Sequence, residues 1–431
     1  MRALLCLTAF TLAAAAQAQP LDLYGFNPRA TAMAGVQASA QHDFTAAYYN
    51  AALLDPGSVG VGFGWSKPST WIHQTSVAQG SQQLSTHLPV DYAGISFGAA
   101  VPLFGKLKDK VTLGFGIFLP ARHVFRSHGI DEGTAYFLRY DSAPERYQIA
   151  VGLSVRPFKW LSLGAGMQVT SDYIGEADFT AVLGTMGPGR VTHRTLGSEV
   201  FGGAGPVAGL AVGPFKHVRV MAYWRGELKA TYSQPVEVDL GTLGHLSVQL
   251  SGVTEYAPHQ AGLGVSVDLL DGRLLLGADL GWEHWSATPP VVPNITINLP
   301  QTLSDLGFNK SVNSRDVEMG FTDTVVPRVG AEWRPLDRLG LRAGYSYRMT
   351  PVPAQTGNSN FLDSNAHVLS LGGGWSFDDP LEMARALSVD GVAQLTLLSP
   401  RDVAKVGNNA SPNYRFGGSS LYLGAAVRYD F

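Results

Sequence analysis

Among 431 residues there is a single cysteine, Cys6, and it falls inside an N-terminal leader. The rest of the chain therefore carries no disulfide framework and no thiolate metal site. Long apolar runs are missing too. Outside the leader no stretch approaches the ~18 apolar residues of a membrane-spanning helix. The leader itself is shorter than a span: Arg2 opens it, Leu4 to Ala16 form its apolar part, and Ala16-Gln17-Ala18 reads as a cleavage site. Residues 1–18 are thus expected to be a secretory signal, with Gln19 the first residue of the mature chain. A lipoprotein site at Cys6 is not expected, because almost no apolar segment precedes it. Charge is sparse and nearly balanced: 31 Lys+Arg against 34 Asp+Glu leave −3, with no bulk attraction for nucleic acid. Enzyme signatures are absent: no G-x-S-x-G, no H-E-x-x-H and no phosphate-binding loop. Asp279, Glu283 and His284 are close in sequence, but on a strand Asp279 and His284 face opposite sides. Gly202-Gly203-Ala204-Gly205 lacks the strand–turn–helix setting of a nucleotide site. Neither an enzyme nor a cofactor nor a metal is expected.

What the chain has in quantity is glycine, 50 residues, and tyrosine, 16, as in many strands joined by turns. The decisive signal is alternation of period two. Tyr147, Ile149, Val151, Leu153 and Val155 interleave with Gln148, Ala150, Gly152, Ser154 and Arg156. Leu339, Leu341, Ala343, Tyr345 and Tyr347 interleave with Gly340, Arg342, Gly344, Ser346 and Arg348. Leu421, Leu423, Ala425, Val427, Tyr429 and Phe431 close the chain in the same pattern. Lipid admits only helices or closed barrels, because both satisfy every backbone polar group. The reading is therefore an all-β fold: a transmembrane antiparallel β-barrel with its apolar face to lipid and its polar face to the lumen. Segments suited to the ~9–11 residues of a tilted membrane strand occur at 58–66, 92–102, 110–120, 145–156, 160–172, 205–213, 217–231, 257–269, 273–286, 325–335, 338–350, 366–378, 386–399 and 418–431. They number about fourteen, the even count that bacterial barrels favour. Trp65, Trp160, Trp282, Trp285, Trp333 and Trp375 fall near their ends, where interfacial girdles belong.

Connections alternate in length. Short turns lie at Pro157-Phe158-Lys159, Pro214-Phe215-Lys216, Leu270-Asp271-Gly272 and Leu336-Asp337. Long polar connections lie near 67–91, 121–144, 173–204, 232–256, 287–324, 351–365 and 400–417. This is the sidedness of a multi-pass barrel in a Gram-negative outer membrane, with short turns in the periplasm. The terminal Phe431 resembles the signal read by the barrel-assembly machinery.

Residues 19–57 do not alternate, so the barrel is expected over 58–431 with a separate segment before it. That segment contains Gly25-Phe26-Asn27-Pro28-Arg29, then Ala30-Thr31-Ala32-Met33-Ala34-Gly35, then Tyr48-Tyr49-Asn50-Ala51-Ala52. It is either a periplasmic leader or a plug, since apolar groups in so short a region need a host surface. These stretches resemble the N-terminal hatch of the FadL/TodX family (OMPP1), outer-membrane transporters of long-chain fatty acids and aromatic hydrocarbons. The family usually has Asn-Pro-Ala where this chain has Asn50-Ala51-Ala52.

The resemblance implies a fourteen-stranded barrel whose lumen holds a hatch built around Phe26, Asn27, Tyr48, Tyr49, Asn50, Ala51 and Ala52. It also implies passive transport of an apolar substrate, captured at outer loops and released through the wall into the membrane. Coupling to ATP, an ion gradient or TonB is not implied, and a monomer is expected. For a fatty acid, the loop after residue 120 offers Arg122, Phe125, Arg126, Phe137 and Arg139, with His123, Val124 and His128 among them. The other reading of those basic groups is lipopolysaccharide phosphate or solvent. Val291, Val292, Ile295, Ile297, Leu299, Leu303 and Leu306 form either a capture groove or an amphipathic segment on the rim. Arg219, Arg225, Glu227, Asp268, Asp279, Glu283, Arg328, Glu332, Arg334, Arg342 and Arg348 fall on polar faces, as an ion-pair network that stiffens the barrel and holds the hatch. The competing reading is a general diffusion porin for small polar solutes. An outer-membrane phospholipase or acyltransferase lacks its catalytic constellation, and a 22-stranded TonB-dependent receptor needs a longer chain.

Overall fold

A computed structural model describes residues 23–41, 43–55, 57–76, 83–107, 110–122, 125–126, 133–140, 145–170, 173–183, 190–239, 245–290, 294–299, 301–305, 311–313, 319–378, 386–407 and 411–431. The expected signal at 1–18 lies outside them, as do His123, Val124, His128, Val291, Val292 and Leu306. Fourteen antiparallel strands close into a barrel. They are β1 (Ser58–Ser76), β2 (Tyr92–Pro102), β3 (Val111–Pro120), β4 (Gln148–Phe158), β5 (Leu161–Val169), β6 (Ala204–Phe215) and β7 (Val218–Arg225). The second half is β8 (Gln260–Leu269), β9 (Leu274–Glu283), β10 (Thr324–Leu336), β11 (Leu339–Arg348), β12 (Ala366–Phe377), β13 (Leu387–Val403) and β14 (Asn413–Asp430). Each strand pairs with the next in sequence, and β14 closes the ring on β1 from Ser58↔Asp430 to Ser76↔Asn413. Closure leaves no open edge, the condition for lying in lipid.

The alternation maps onto the wall as read from the sequence. In β4, Val151, Leu153 and Val155 are exposed outward, while Gln148, Ala150 and Ser154 are buried inward. In β14, Leu421, Leu423 and Val427 are exposed and Ser420 and Tyr422 are buried. At the short-turn rim the outward girdle comprises Phe158, Trp160, Phe215, Trp333, Trp375 and Phe431. Trp285 corrects the girdle assignment. It is 2% exposed, sits in the single turn Trp285–Ala287, and packs on Tyr256.

Three connections expected to be irregular are not. Tyr173–Leu183, Arg190–Phe201, Leu228–Asp239, His245–Ala257, Asn294–Asn298 and Ser311–Asn313 form a six-stranded antiparallel sheet beyond the barrel. The segment read as one strand over 217–231 breaks at Gly226, whose N–H donates to the Pro206 carbonyl (2.7 Å) and whose missing side chain makes room for the Pro206 ring. The chain then leaves the wall for that sheet. At the seam, β1 continues past 66 to Ser76, and β14 begins at Asn413 rather than 418. The end of β13 extends with them, paired with β14 as far as Val403↔Tyr414.

Residues 23–55 lie within the ring. Pro28–Ala32 (α1) contacts β11, β12, β13 and β14; Ala46–Tyr49 (α2) contacts β3 and β4; the turn Ala51–Leu53 contacts β4, β5 and β6; and Gln37–Ala40 contacts β8 and β9. Inward glycines make this fit possible. At Gly344 a Cβ would enter the Met33–Ala34 peptide, and at Gly164 the Ala51–Ala52 peptide. At Gly330 it would lie 2.7 Å from the Met33 carbonyl oxygen.

Candidate functional site

The site is the filled lumen, built from below by residues 23–55 and from above by an inserted connection. In the lower part Asn27 caps α1, its Oδ1 accepting from Ala30 N (3.0 Å), and Pro28 starts the helix without needing an N–H partner. Asn50 does the same for the next turn, accepting from Ala52 N (3.0 Å). Its Nδ2 donates to Gln37 Oε1 (2.7 Å) and across to the Ala222 carbonyl of β7 (3.0 Å). An asparagine can thus fold its own turn and tie it to the wall at once. Tyr49 Oη accepts from Phe26 N (2.9 Å), so the two ends of the segment are joined. The Tyr48 ring packs on Phe26 (centroids 5.6 Å) and on Tyr49 (5.1 Å), and lies 4.6 Å below the Arg225 guanidinium.

Charge holds this segment to opposite sides of the barrel. Arg29 Nε meets Glu332 Oε2 at 3.0 Å, with both side chains almost fully buried. Glu332 also accepts from Arg342 (2.7 Å) and Arg334 (2.5 Å), and Arg342 reaches Asp390 (2.5 Å). Asp43 takes Arg428 Nη1 (3.2 Å), Asn27 Nδ2 (3.1 Å) and Thr45 N (2.9 Å). Arg156 pairs with Asp55 (2.7 Å), and Gln37 N donates to Asp279 (2.6 Å). Arg219 donates to Gln41 Oε1 (2.6 Å), while Arg348 and Gln394 both donate to the Leu23 carbonyl (2.7 and 2.9 Å). The sequence reading placed most of the wall groups correctly but had no signal for Arg29, Asp43, Asp55 or Asp390. The ion-pair partners of these lie 48 to 385 residues away in the chain.

From the opposite rim, Ala135–Phe137 enters as a short strand, paired in parallel with Thr86–His87 and Phe361–Leu362. Tyr136, Phe137 and Leu138 are fully buried, with Phe137 edge-on to Phe416 (5.7 Å) and Tyr136 edge-on to Phe361 (5.6 Å). Arg139 follows them inward. It donates to the Met349 carbonyl (3.1 Å), faces Asp363 (3.4 Å) and Glu283 (4.0 Å), and lies 5.2 Å over the Trp285 ring. Burial pushes the Asp363 carboxyl above the usual range, and Arg139 offsets this only in part. Burial likewise raises the Tyr140 phenol. Of the candidates named from the sequence, Phe137 and Arg139 are thus together in the lumen. Arg122 is exposed in the turn after β3, and Phe125–Arg126 form a separate two-residue strand paired with Glu145–Arg146.

Between the N-terminal segment and the wall, a cavity of about 40 Å³ is lined by Leu23, Tyr48, Tyr49, Tyr223, Arg225, Arg328, Arg348 and Gln394 among others. Arg225 donates to Gln260 Oε1 and lies over Tyr48 and Tyr223. Arg348 Nη1 is buried without a hydrogen-bond partner among the described residues. Beside the cavity a row of near-parallel rings crosses from wall to segment and back: Phe118, Tyr92, Tyr24 and Tyr422, at successive centroid distances of 6.0, 6.4 and 5.3 Å.

Comparison with known proteins follows the same lines. Residues 4–431 match the family model described as outer membrane protein transport protein (OMPP1/FadL/TodX). No curated protein matches the sequence. Among solved structures, the Pseudomonas aeruginosa FadL homologue superposes with a TM-score of 0.59 at 18% identity, over 94% of this chain and 98% of that one. The Pseudomonas putida toluene transporter TodX gives 0.57 at 15% identity, over 95% and 99%. The monoaromatic hydrocarbon channel CymD gives 0.56 at 15%, over 95% and 98%.

Proposed function

Because the chain belongs to the OMPP1/FadL/TodX family of outer-membrane transport proteins, we propose that it carries hydrophobic compounds, long-chain fatty acids or hydrocarbons, by passive diffusion past a hatch formed by residues 19–57. The observation behind this reading is one apolar cluster that runs through the lumen. It joins Leu23, Tyr24, Phe26, Phe44, Tyr48 and Leu54 to Tyr92, Phe118, Phe137, Tyr140, Phe416 and Tyr422. A polar solute entering there would lose its hydration without replacement hydrogen bonds, whereas an acyl chain or ring exchanges one dispersion contact for another. That disfavours the general diffusion porin. The cavity between the hatch and the wall is only about 40 Å³, so passage of an acyl chain requires the hatch to shift.

Arg348, with Arg328 and Arg225 around it, is suited to a carboxylate, and Phe137 to the chain behind it. Arg139, already facing two carboxylates, we assign to holding the insertion. The ring row at Tyr24 suits a hydrocarbon, in keeping with the names of the toluene and monoaromatic channels above. Exit is taken to be sideways through the wall, because charge ties the hatch across the periplasmic end. Recognition by the assembly machinery is assigned to β14 ending in Phe431, and the chain is taken as a monomer.

The test is oleate uptake by Gram-negative cells lacking their own fatty-acid transporter, with toluene entry measured beside it. Restored oleate uptake that falls in Arg348→Ala while toluene entry persists is the expected result. Failure of both substrates to enter, together with a large steady conductance in planar bilayers, would return the chain to the porin reading.

A further inference from the structure

At the outer end of the wall, the lipid-facing register carries imidazoles, each laid against an aromatic ring. His259 continues the outward series of Leu263 and Val265, and His284 that of Leu276, Leu280 and Trp282. His367 continues Leu371 and Leu369, and His73 continues Val59, Val61 and Phe63. His259 stacks on Trp224 (5.9 Å) and His284 on Trp282 (5.1 Å), and the two imidazoles are 6.3 Å apart. His367 packs on Tyr347 (5.1 Å) and its Nδ1 bonds the Tyr345 hydroxyl (2.9 Å). His73 stacks on Trp71 (4.8 Å) and stands opposite Arg415 in the ladder, with exposed Lys67 lower on the same face. The arc runs from β7 through β8, β9, β11 and β12 to the β14–β1 seam. The short-turn rim has aromatics in the same register but, among its described residues, a single histidine, His217.

Stacking fixes the plane of an imidazole and leaves its edge nitrogens to hydrogen-bond. At His259 the outcome is determined. Nδ1 accepts the Glu227 N–H (3.1 Å), so Nε2 carries the proton and is a donor. Among the described residues, the carboxylates beside the arc are engaged: Asp323 accepts from Trp282 Nε1 (3.2 Å) and Ser286 N (3.0 Å), Asp402 faces Arg415 (3.7 Å), Glu283 accepts from Trp285 Nε1 (2.7 Å) and Glu227 faces the Tyr256 hydroxyl. What remains toward the headgroup layer is a band of imidazole edges, that of His259 a fixed donor, and cations next to aromatic faces. That chemistry suits a phosphate carried on an acylated sugar, with rings against the sugar and donors on the phosphate oxygens.

We propose that this arc is a binding belt for the phosphate groups of the outer-leaflet glycolipid. The belt is independent of the transport reading. The experiment compares, in mixed nanodiscs, how much bis-phosphorylated lipid A and how much enzymatically dephosphorylated lipid A stays with the purified barrel, read by native mass spectrometry. The wild type is expected to favour the phosphorylated form by ~10-fold, the scale of one charge-assisted hydrogen bond. The combined variant His259→Phe, His284→Phe, His367→Phe keeps the stacks and is expected to lose that preference while remaining heat-modifiable on gels, the sign of a folded barrel. Equal retention of both lipids by the wild type, a comparison that needs no variant, overturns the proposal. So does a folded triple variant that keeps the preference.

Discussion

At the scale of single residues, Glu332 shows how the lumen is held. Its carboxylate is shared by Arg29 of the inserted segment and by Arg342 and Arg334 of the wall. Removing it leaves buried guanidinium groups without their common partner, and breaking such a site costs ~3–5 kcal/mol. Glu332→Ala is therefore expected to lower urea stability by that amount, with a smaller loss for Glu332→Gln. A loss within ~0.5 kcal/mol, the scatter of ordinary surface changes, would mean that the pair does not bind the segment. Leu423 reports on the other face. It is 43% exposed toward lipid, and an arginine near the bilayer midplane costs ~2–4 kcal/mol. Leu423→Arg should show that loss in bilayer-refolded protein, and no effect would mean the face is not lipid-exposed. The lipid face was legible residue by residue, because a period of two survives any tertiary context. The charge partners were not, because Arg29–Glu332 and Asp43–Arg428 join positions that no local pattern relates.

Among elements, the N-terminal segment and the upper insertion make separate predictions. If residues 23–55 act as a hatch, deleting them should turn a tight barrel into a leaky one in single-channel recordings; unchanged conductance would sink the plug. The upper insertion should respond to pH through Asp363. Its raised pKa means that the packed insertion holds the proton more tightly than a released one does. The stabilisation is then complete below the ordinary Asp value of ~3.9 and is lost as pH rises through the raised value. Amide exchange at Tyr136–Leu138 should accelerate over that rise in the wild type and stay flat in Asp363→Asn. Identical pH profiles would separate Asp363 from the insertion's stability. Neither the burial of Phe137 nor that of Arg139 could be read locally. A stretch of mixed basic and aromatic residues looks the same whether it grips a ligand or packs under a loop.

Over the whole molecule, fourteen strands closed in sequence order were legible because each hairpin is local and each strand announces its two faces. The six-stranded sheet beyond the barrel was not. Val236 and Val238, or Leu246, Val248 and Leu250, alternate as wall strands do, but polar neighbours and the lack of a membrane-length run made them read as loops. Their pairing is decided by the hairpins that carry them out of the wall, as at Gly226 for the hairpin of Leu228–Asp239 and His245–Ala257. The inward glycines show the reverse relation. Gly164, Gly330 and Gly344 read from the sequence only as a polar lumen face, yet each is a place where the inserted backbone comes too close for a side chain.

The sequence by itself determined the class of the molecule: an all-β wall, its two faces and its strand number. All of these follow from backbone satisfaction in lipid and from the period of a strand, which are local or compositional constraints. Only the tertiary structure decided what fills the lumen, because packing and ion pairing depend on which distant residues meet. It set Asn50 against β7, Glu332 against Arg29 and Phe137 against Phe416, and it placed four histidines in one arc at the outer rim.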